Sequence, residues 1–269
     1  MSHPIARHLY QIQATTGEGF FRLWDDWLTL AVTAFCRDDD AYMAVMNRYG
    51  PRIPNKTHPA DHFAQALGTF LQTCAKDSAL GTPFPDTLGR IYEEEALTNN
   101  YAGQFFTPEP LCAMMAKMII EPTDEDITIC DPACGSGRFF IHAQPIAPKA
   151  HFTGIDRDLT CVHMTALNML VRNADATIVH GNTLSLETFG GYQTRRTPLG
   201  GEIRTLTAEQ ASTFLTAAAK ALNTQQRTTA ELGTSPASSS PASDPTPSPD
   251  TTGPQPFVVD RKGQMGFDF

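Results

Sequence analysis

The feature that most constrains this chain is the run Ile127-Thr128-Ile129-Cys130-Asp131-Pro132-Ala133-Cys134-Gly135-Ser136-Gly137-Arg138-Phe139, which reads as a strand, a glycine turn and a helix start in succession. Glycines 135 and 137 remove Cβ atoms where a ligand must approach the backbone, and the helix that follows offers unpaired N–H groups. From Tyr101 onward, short β-type runs alternate with helical ones. Strands are expected over 127–130, 151–155 and 177–179, and helices over 110–120, 138–143 and 159–173. That rhythm is the signature of an α/β unit. Asp156 closes the second strand, 19 residues after Gly137, where an acid can accept both ribose hydroxyls of an adenosine-containing ligand. The alternative role for Asp156 is to cap the helix starting at Leu159, for which Asp158 is an equal candidate. His180-Gly181-Asn182 ends the third strand and offers a carboxamide to an adenine edge. Three consecutive strand ends would then line one crevice, where ligands of open α/β sheets sit.

Residues 1–100 read as mostly helical. Phe20, Leu23, Trp24, Trp27, Leu28, Ala31, Val32 and Phe35 recur at three- and four-residue spacing, as do Phe63, Leu67, Phe70, Leu71 and Cys74, then Leu88, Ile91, Tyr92 and Leu97. At that spacing the two tryptophans are expected in the core rather than stacked on bases. After Asn182 the pattern weakens: 183–206 is polar and glycine-containing, with Ile203–Leu206 as a short strand. A helix is expected over 207–222, with Thr207 and Gln210 forming a capping box. Seven of the 24 residues from 233 to 256 are proline and most of the rest are small or polar, so 233–269 is expected to be a disordered tail with a short ordered-looking end.

The net charge of −9 excludes nucleic-acid binding through overall charge, so any DNA contact must be local or shared with a partner. No apolar run reaches the ~18–20 residues of a membrane span, and Met1–Thr16 lacks the apolar segment of a secretory signal. A cytoplasmic protein with six reduced, buried cysteines and no metal site is expected, since the cysteines form no CxxC pair and no zinc spacing.

Upstream lies Gly103-Gln104-Phe105-Phe106-Thr107-Pro108-Glu109-Pro110, locally an aromatic turn in which Thr107 caps a helix with Pro108 at its first position. Placed some twenty residues before Asp-Pro-Ala-Cys-Gly-Ser-Gly-Arg-Phe, this segment resembles the N6-adenine DNA methyltransferases, in particular the modification subunits of type I restriction systems. The resemblance covers about residues 60–185 and extends to Asp86-Thr87-Leu88-Gly89-Arg90-Ile91-Tyr92-Glu93-Glu94. It implies a Rossmann-like core that binds S-adenosylmethionine, preceded by a helical region. Gln104, Phe105, Phe106, Thr107 and Pro108 would fold over that cofactor. Asp131, Gly135, Ser136 and Gly137 would hold its methionine end, Asp156 its ribose and Asn182 its adenine. The implied organisation is a helical region over 1–100, the cofactor-binding domain over 101–206, a helix within 207–232 and the tail over 233–269. The implied substrate is DNA, engaged with a partner or specificity subunit.

Such enzymes carry an Asn or Asp followed by Pro-Pro and an aromatic residue at the end of the fourth strand, where it orients the adenine amino group. This sequence has no Pro-Pro, so its catalytic residues stay unassigned. The fold class expected is therefore α/β with an incomplete sheet. Two readings follow: a methyltransferase or methyltransferase subunit, and a cofactor-binding regulator or partner subunit without catalysis of its own. A Rossmann-type dinucleotide-binding protein is a third. Finally, Gln264-Met265-Gly266-Phe267-Asp268-Phe269 resembles the peptide by which bacterial proteins dock into the replicative sliding clamp.

Overall fold

The computed structural model describes residues 2–79, 85–98, 106–218, 220 and 257–259. Five helices come first: α1 (Pro4–Thr16), α2 (Phe20–Cys36), α3 (Asp39–Met46), α4 (Asp61–Ala79) and α5 (Thr87–Thr98). Trp24 and Trp27 are buried, packed against one another and against Phe20 and Phe70, so the aromatic stripe of α2 is core. Phe35 and Leu71, expected on the same stripes, lie partly in solvent.

The α/β part follows as α6 (Glu109–Ile119), β1 (Thr128–Asp131), α7 (Arg138–Ala143), β2 (His151–Asp156), α8 (Leu159–Val171), β3 (Asp175–Asn182), β4 (Glu187–Arg195), β5 (Glu202–Leu206), a helix α9 over 208–218 and β6 (Phe257–Val259). The sheet order is β5-β4-β3-β2-β1-β6, with β1, β2 and β3 parallel and the other pairings antiparallel. Side chains alternate across it. Ile129, Phe152, Ala176 and Ile178 face a core shared by α7, α8 and the N-terminal helices, whereas Cys130, Ile155 and Val179 pack against Ala211, Leu215 and Ala218 of α9. The helical region and the sheet thus form one continuous hydrophobic interior.

One expectation of the fold is corrected. The stretch 183–206 is not a loop with one short strand, because β4 pairs with β3 along its length. Its sequence, Glu-Thr-Phe-Gly-Gly-Tyr-Gln-Thr-Arg, lacks apolar alternation because its buried positions are Gly190 and Thr194, and it also takes part in a polar row across the sheet. Thr153, Thr177, Gln193 and Arg204 are successive cross-strand partners, and Arg204 donates to Gln193 at 2.9 Å. Gly191 is dictated by close approach, since a Cβ there would lie 2.2 Å from the Ile178 carbonyl oxygen. At the ordered-looking end of the tail, Phe257–Val259 adds a strand to the outer edge of β1. The capping box does form: the Thr207 amide donates to Gln210 Oε1 (3.0 Å) and the Gln210 amide to Thr207 Oγ1 (3.2 Å). No helix among the described residues is long and apolar enough to cross a membrane. Gln264–Phe269 lies outside the described residues.

Candidate nucleoside-binding site

The site is built on the C-terminal ends of the three parallel strands. Asp131 is the last residue of β1, Asp156 of β2 and Asn182 of β3, so the topology brings all three strand-end candidates to one edge. Between β1 and α7 the chain turns through Gly135 (φ +54°) and Gly137 (φ +79°), left-handed values that disfavour any side chain. The carbonyls of this turn are tied down from below by α8. Thr165 Oγ1 donates to the Gly135 carbonyl at 2.7 Å, and Asn168 Nδ2 to the Ser136 carbonyl at 2.8 Å. A Cβ on Gly137 would meet the Thr165 side chain at 3.0 Å. The turn is therefore held from beneath, with its shape set by buried groups.

Asp156 is not the cap of α8; Asp158 takes that role, accepting from the Thr160 amide at 2.9 Å. The Asp156 carboxylate instead crosses to the glycine turn, accepting from the Gly135 amide at 2.8 Å and from the Asp158 amide at 2.9 Å. A carboxylate has about four acceptor positions, so capacity remains for hydroxyl donors. Asp131 accepts from the Ala133 amide at 3.0 Å. Burial pushes its carboxyl up to about 6, with the nearby charge of Asp156 adding to the rise. Burial raises Asp156 as well, against the opposing effect of its backbone donors. Among the described residues neither acid makes an ion pair. Two buried carboxyls without a counter-ion, at the mouth of a glycine turn, suit a ligand that brings positive charge and oppose a pyrophosphate.

Phe106 lies over the turn, its ring 2.8 Å from where a Cβ on Gly135 would stand. Gln104 and Phe105 lie outside the described residues. Thr107 and Pro108 follow Phe106, but the helix cap is Pro108 with Pro110 at the second helical position, not Thr107, and no side chain closes that end. Thr107 is instead recruited through its carbonyl by Arg138, described below. Asn182 keeps its place at the β3 end, yet its Oδ1 accepts from the Leu184 and Ser185 amides (3.0 and 3.3 Å), so the oxygen shapes the β3–β4 turn and only its amide nitrogen can face a base. Thr183 beside it donates to the Pro132 carbonyl at 2.7 Å, pinning the third strand end to the β1 turn.

One constellation escaped the sequence reading. Asp86, fully buried, accepts from Ser136 Oγ, from Arg138 Nε at 2.9 Å, from the Gly89 amide at 2.9 Å and from Asn168 Nδ2 at 3.2 Å. Arg138 also pairs with Glu93 Oε2 at 2.8 Å and donates to the Thr107 carbonyl at 3.0 Å. Glu93 Oε1 in turn accepts from the Phe106 amide at 2.8 Å. The signal is an acid just before α5, a second acid seven residues on within α5, and a cation at the start of α7, but their pairing joins positions 45 and 52 residues apart. The six cysteines are all free thiols; five are buried and Cys36 is half-buried. Burial raises Cys36 to about 11 and Cys112 to about 12, which removes them as nucleophiles at neutral pH.

These features define a class: an α/β domain whose parallel strand ends, glycine turn and paired acids line one crevice. Comparison with known proteins makes the class specific. Residues 84–197 match the family model described as N-6 DNA Methylase. The chain is 31% identical over 106 residues to the type I restriction enzyme MjaIX methylase subunit of Methanocaldococcus jannaschii, covering 35% of this chain and 18% of that protein. It is 27% identical over 118 residues to the type II methyltransferase M.MamI of Microbacterium ammoniaphilum, covering 35% of this chain and 32% of that protein. The chain thus covers less than a third of the length of either relative. A solved structure from Listeria monocytogenes, described as a class I S-adenosylmethionine-dependent methyltransferase, aligns with 65% of this chain and 53% of its own at 13% identity and a TM-score of 0.37.

Proposed function

We propose that this chain binds S-adenosylmethionine and serves as the methyltransferase, or a methyltransferase subunit, in N6-adenine DNA methylation. The observation that carries the reading is the pair of buried acids, Asp131 and Asp156, flanking the Gly135–Gly137 turn without a cationic partner among the described residues. S-Adenosylmethionine carries a sulfonium and an ammonium group, and its ribose offers two hydroxyls to Asp156. A nicotinamide dinucleotide would bring pyrophosphate against Asp131. When bound, the cofactor supplies an electrophilic methyl group. The residues of this chain hold and cover it: Asp131, Gly135, Ser136 and Gly137 around the methionine end, Asp156 at the ribose, the Asn182 amide nitrogen at the adenine, and Gln104, Phe105, Phe106, Thr107 and Pro108 as the covering segment. By its relatives, DNA is the substrate, reached in company with a specificity or partner subunit in the cytoplasm.

Calorimetry tests the cofactor and supplies a pH signature. The free-state carboxyl of Asp131 is half-protonated near pH 6 and a cationic ligand favours its ionised form, so affinity is expected to fall as pH drops from 7 to 5, by up to about tenfold per pH unit below the pKa. Binding at pH 6 should release a proton, seen as a heat that depends on the buffer's ionisation enthalpy. Nicotinamide dinucleotide is expected to give no heat. Affinity independent of pH over this range would remove Asp131 from the site.

The outer edge of β1 favours the second reading, of a cofactor-binding partner subunit. In the usual doubly wound order a fourth strand lies beside the first, and the family's Pro-Pro tetrad follows it. Here that edge pairs with Phe257–Val259 in the antiparallel sense. Transfer of a tritiated methyl group to adenine-rich duplex DNA, measured alone and with candidate partner subunits, separates the two. We also propose Gln264–Phe269 as a sliding-clamp peptide; micromolar binding of a 257–269 peptide to a bacterial clamp, lost with Gln264→Ala, is the expected result.

A further inference from the structure

We propose that Arg138 is a positioning residue that holds Phe106 and Thr107 over the glycine turn, so that α5 of the helical region sets the affinity of the crevice for its ligand. The proposal rests on the S-adenosylmethionine reading above. The backbone of Arg138 follows Gly137 directly, and its guanidinium, 6% exposed, is divided among three parts of the chain. Nε goes to Asp86 and one terminal nitrogen to Glu93. The other donates to the Thr107 carbonyl, and the planar face lies 5.6 Å from the Phe106 ring centroid. Glu93 completes the loop by accepting the Phe106 amide.

Stability alone does not account for this arrangement. A buried ion cluster contributes little more than well-packed apolar side chains of the same volume, so what it adds is fixed geometry. The geometry fixed here is that of Phe106, a half-buried ring resting on Gly135. Each arm of the guanidinium is used, in a planar fork that a lysine ammonium on a flexible stem cannot reproduce. Arg138 donates to the Thr107 carbonyl and lies against the Phe106 ring, and it meets the glycine turn only through Asp86, which also accepts from Ser136 Oγ; the Phe106→Leu background below separates the two routes.

The test is Arg138→Lys, read in two ways. Without ligand, hydrogen exchange of the Phe106 amide is expected to rise at least tenfold while the β2 amides are unchanged. In calorimetry, affinity for S-adenosylmethionine is expected to fall 10- to 100-fold, and in a Phe106→Leu background the same substitution should change affinity by less than twofold. Faster exchange with unchanged affinity, or equal losses in both backgrounds, would overturn the proposal. Wild-type protein that fails to bind S-adenosylmethionine overturns the cofactor reading instead, and the exchange result then decides whether Arg138 holds Phe106. Should Arg138→Lys not fold, Glu93→Gln, which leaves Asp86 with its partners, gives the same two readouts.

Discussion

Gly89→Ala is expected to lower the unfolding free energy by about 3–5 kcal/mol, the range for breaking a buried ion pair by displacing one partner. A Cβ at position 89 would stand 2.1 Å from Asp86 Oδ2 and 2.7 Å from Ser136 Oγ. Asp86 is fully buried and accepts from Arg138, Ser136 and Asn168, so displacing its carboxylate disturbs all three hydrogen bonds. Moving it leaves the Arg138 guanidinium short of an acceptor in a water-poor interior. Urea unfolding at constant m-value measures the effect. The comparison is Gly68→Ala in the middle of α4, where a Cβ meets nothing within 4 Å. There alanine is expected to stabilise by up to about 1 kcal/mol, the ordinary helix preference over glycine. The same chemical change thus has opposite signs at two helical glycines. Equal effects at both would mean that α5 does not pack on the glycine turn.

Asp156→Ala is expected to weaken S-adenosylmethionine binding by 100-fold or more. Two charge-assisted hydrogen bonds to ribose contribute about 1.5 kcal/mol or more each, and the substitution also releases the Gly135 amide that the carboxylate restrains. Asp156→Asn keeps one oxygen for Gly135 and should lose about tenfold, since neutral acceptors are roughly half as strong. Asp158→Ala, two residues on, removes the α8 cap. It is expected to cost about 1 kcal/mol of stability with affinity unchanged. If Asp158→Ala weakened binding as much as Asp156→Ala, the ribose role would not belong to Asp156.

The part of the fold legible in the sequence was the part encoded locally. The glycine turn, the strand ends at Asp131 and Asp156, the helix of 159–171 and the Thr207–Gln210 cap follow from residues within a few positions of one another. β4 was not legible because its two glycines and polar face answer to β3, α8 and the Gln193 row rather than to its own periodicity. At the site, the split between Asp156 and Asp158 could not be read from sequence, since either acid can cap a helix and only the approach of Gly135 decides. Asn182 was placed correctly along β3, but the use of its oxygen depends on a hairpin that was not foreseen. The Asp86–Arg138–Glu93 cluster lay hidden because its members are distant in the chain and each, alone, reads as an ordinary surface charge.

The strand Phe257–Val259 reaches β1 from about 130 positions away and is held by three residue pairs. The connection to be closed, from the end of α9 to β6, is about 38 residues long, and by chain-statistics scaling its closure costs about 3 kcal/mol, set against a ladder of minimal length. That margin of the sheet is therefore a seam that parts under fluctuations too small to disturb the parallel strands. When it parts, the peptide groups along one side of β1 lie bare beside Asp131, a receptive border for any extended polypeptide that arrives.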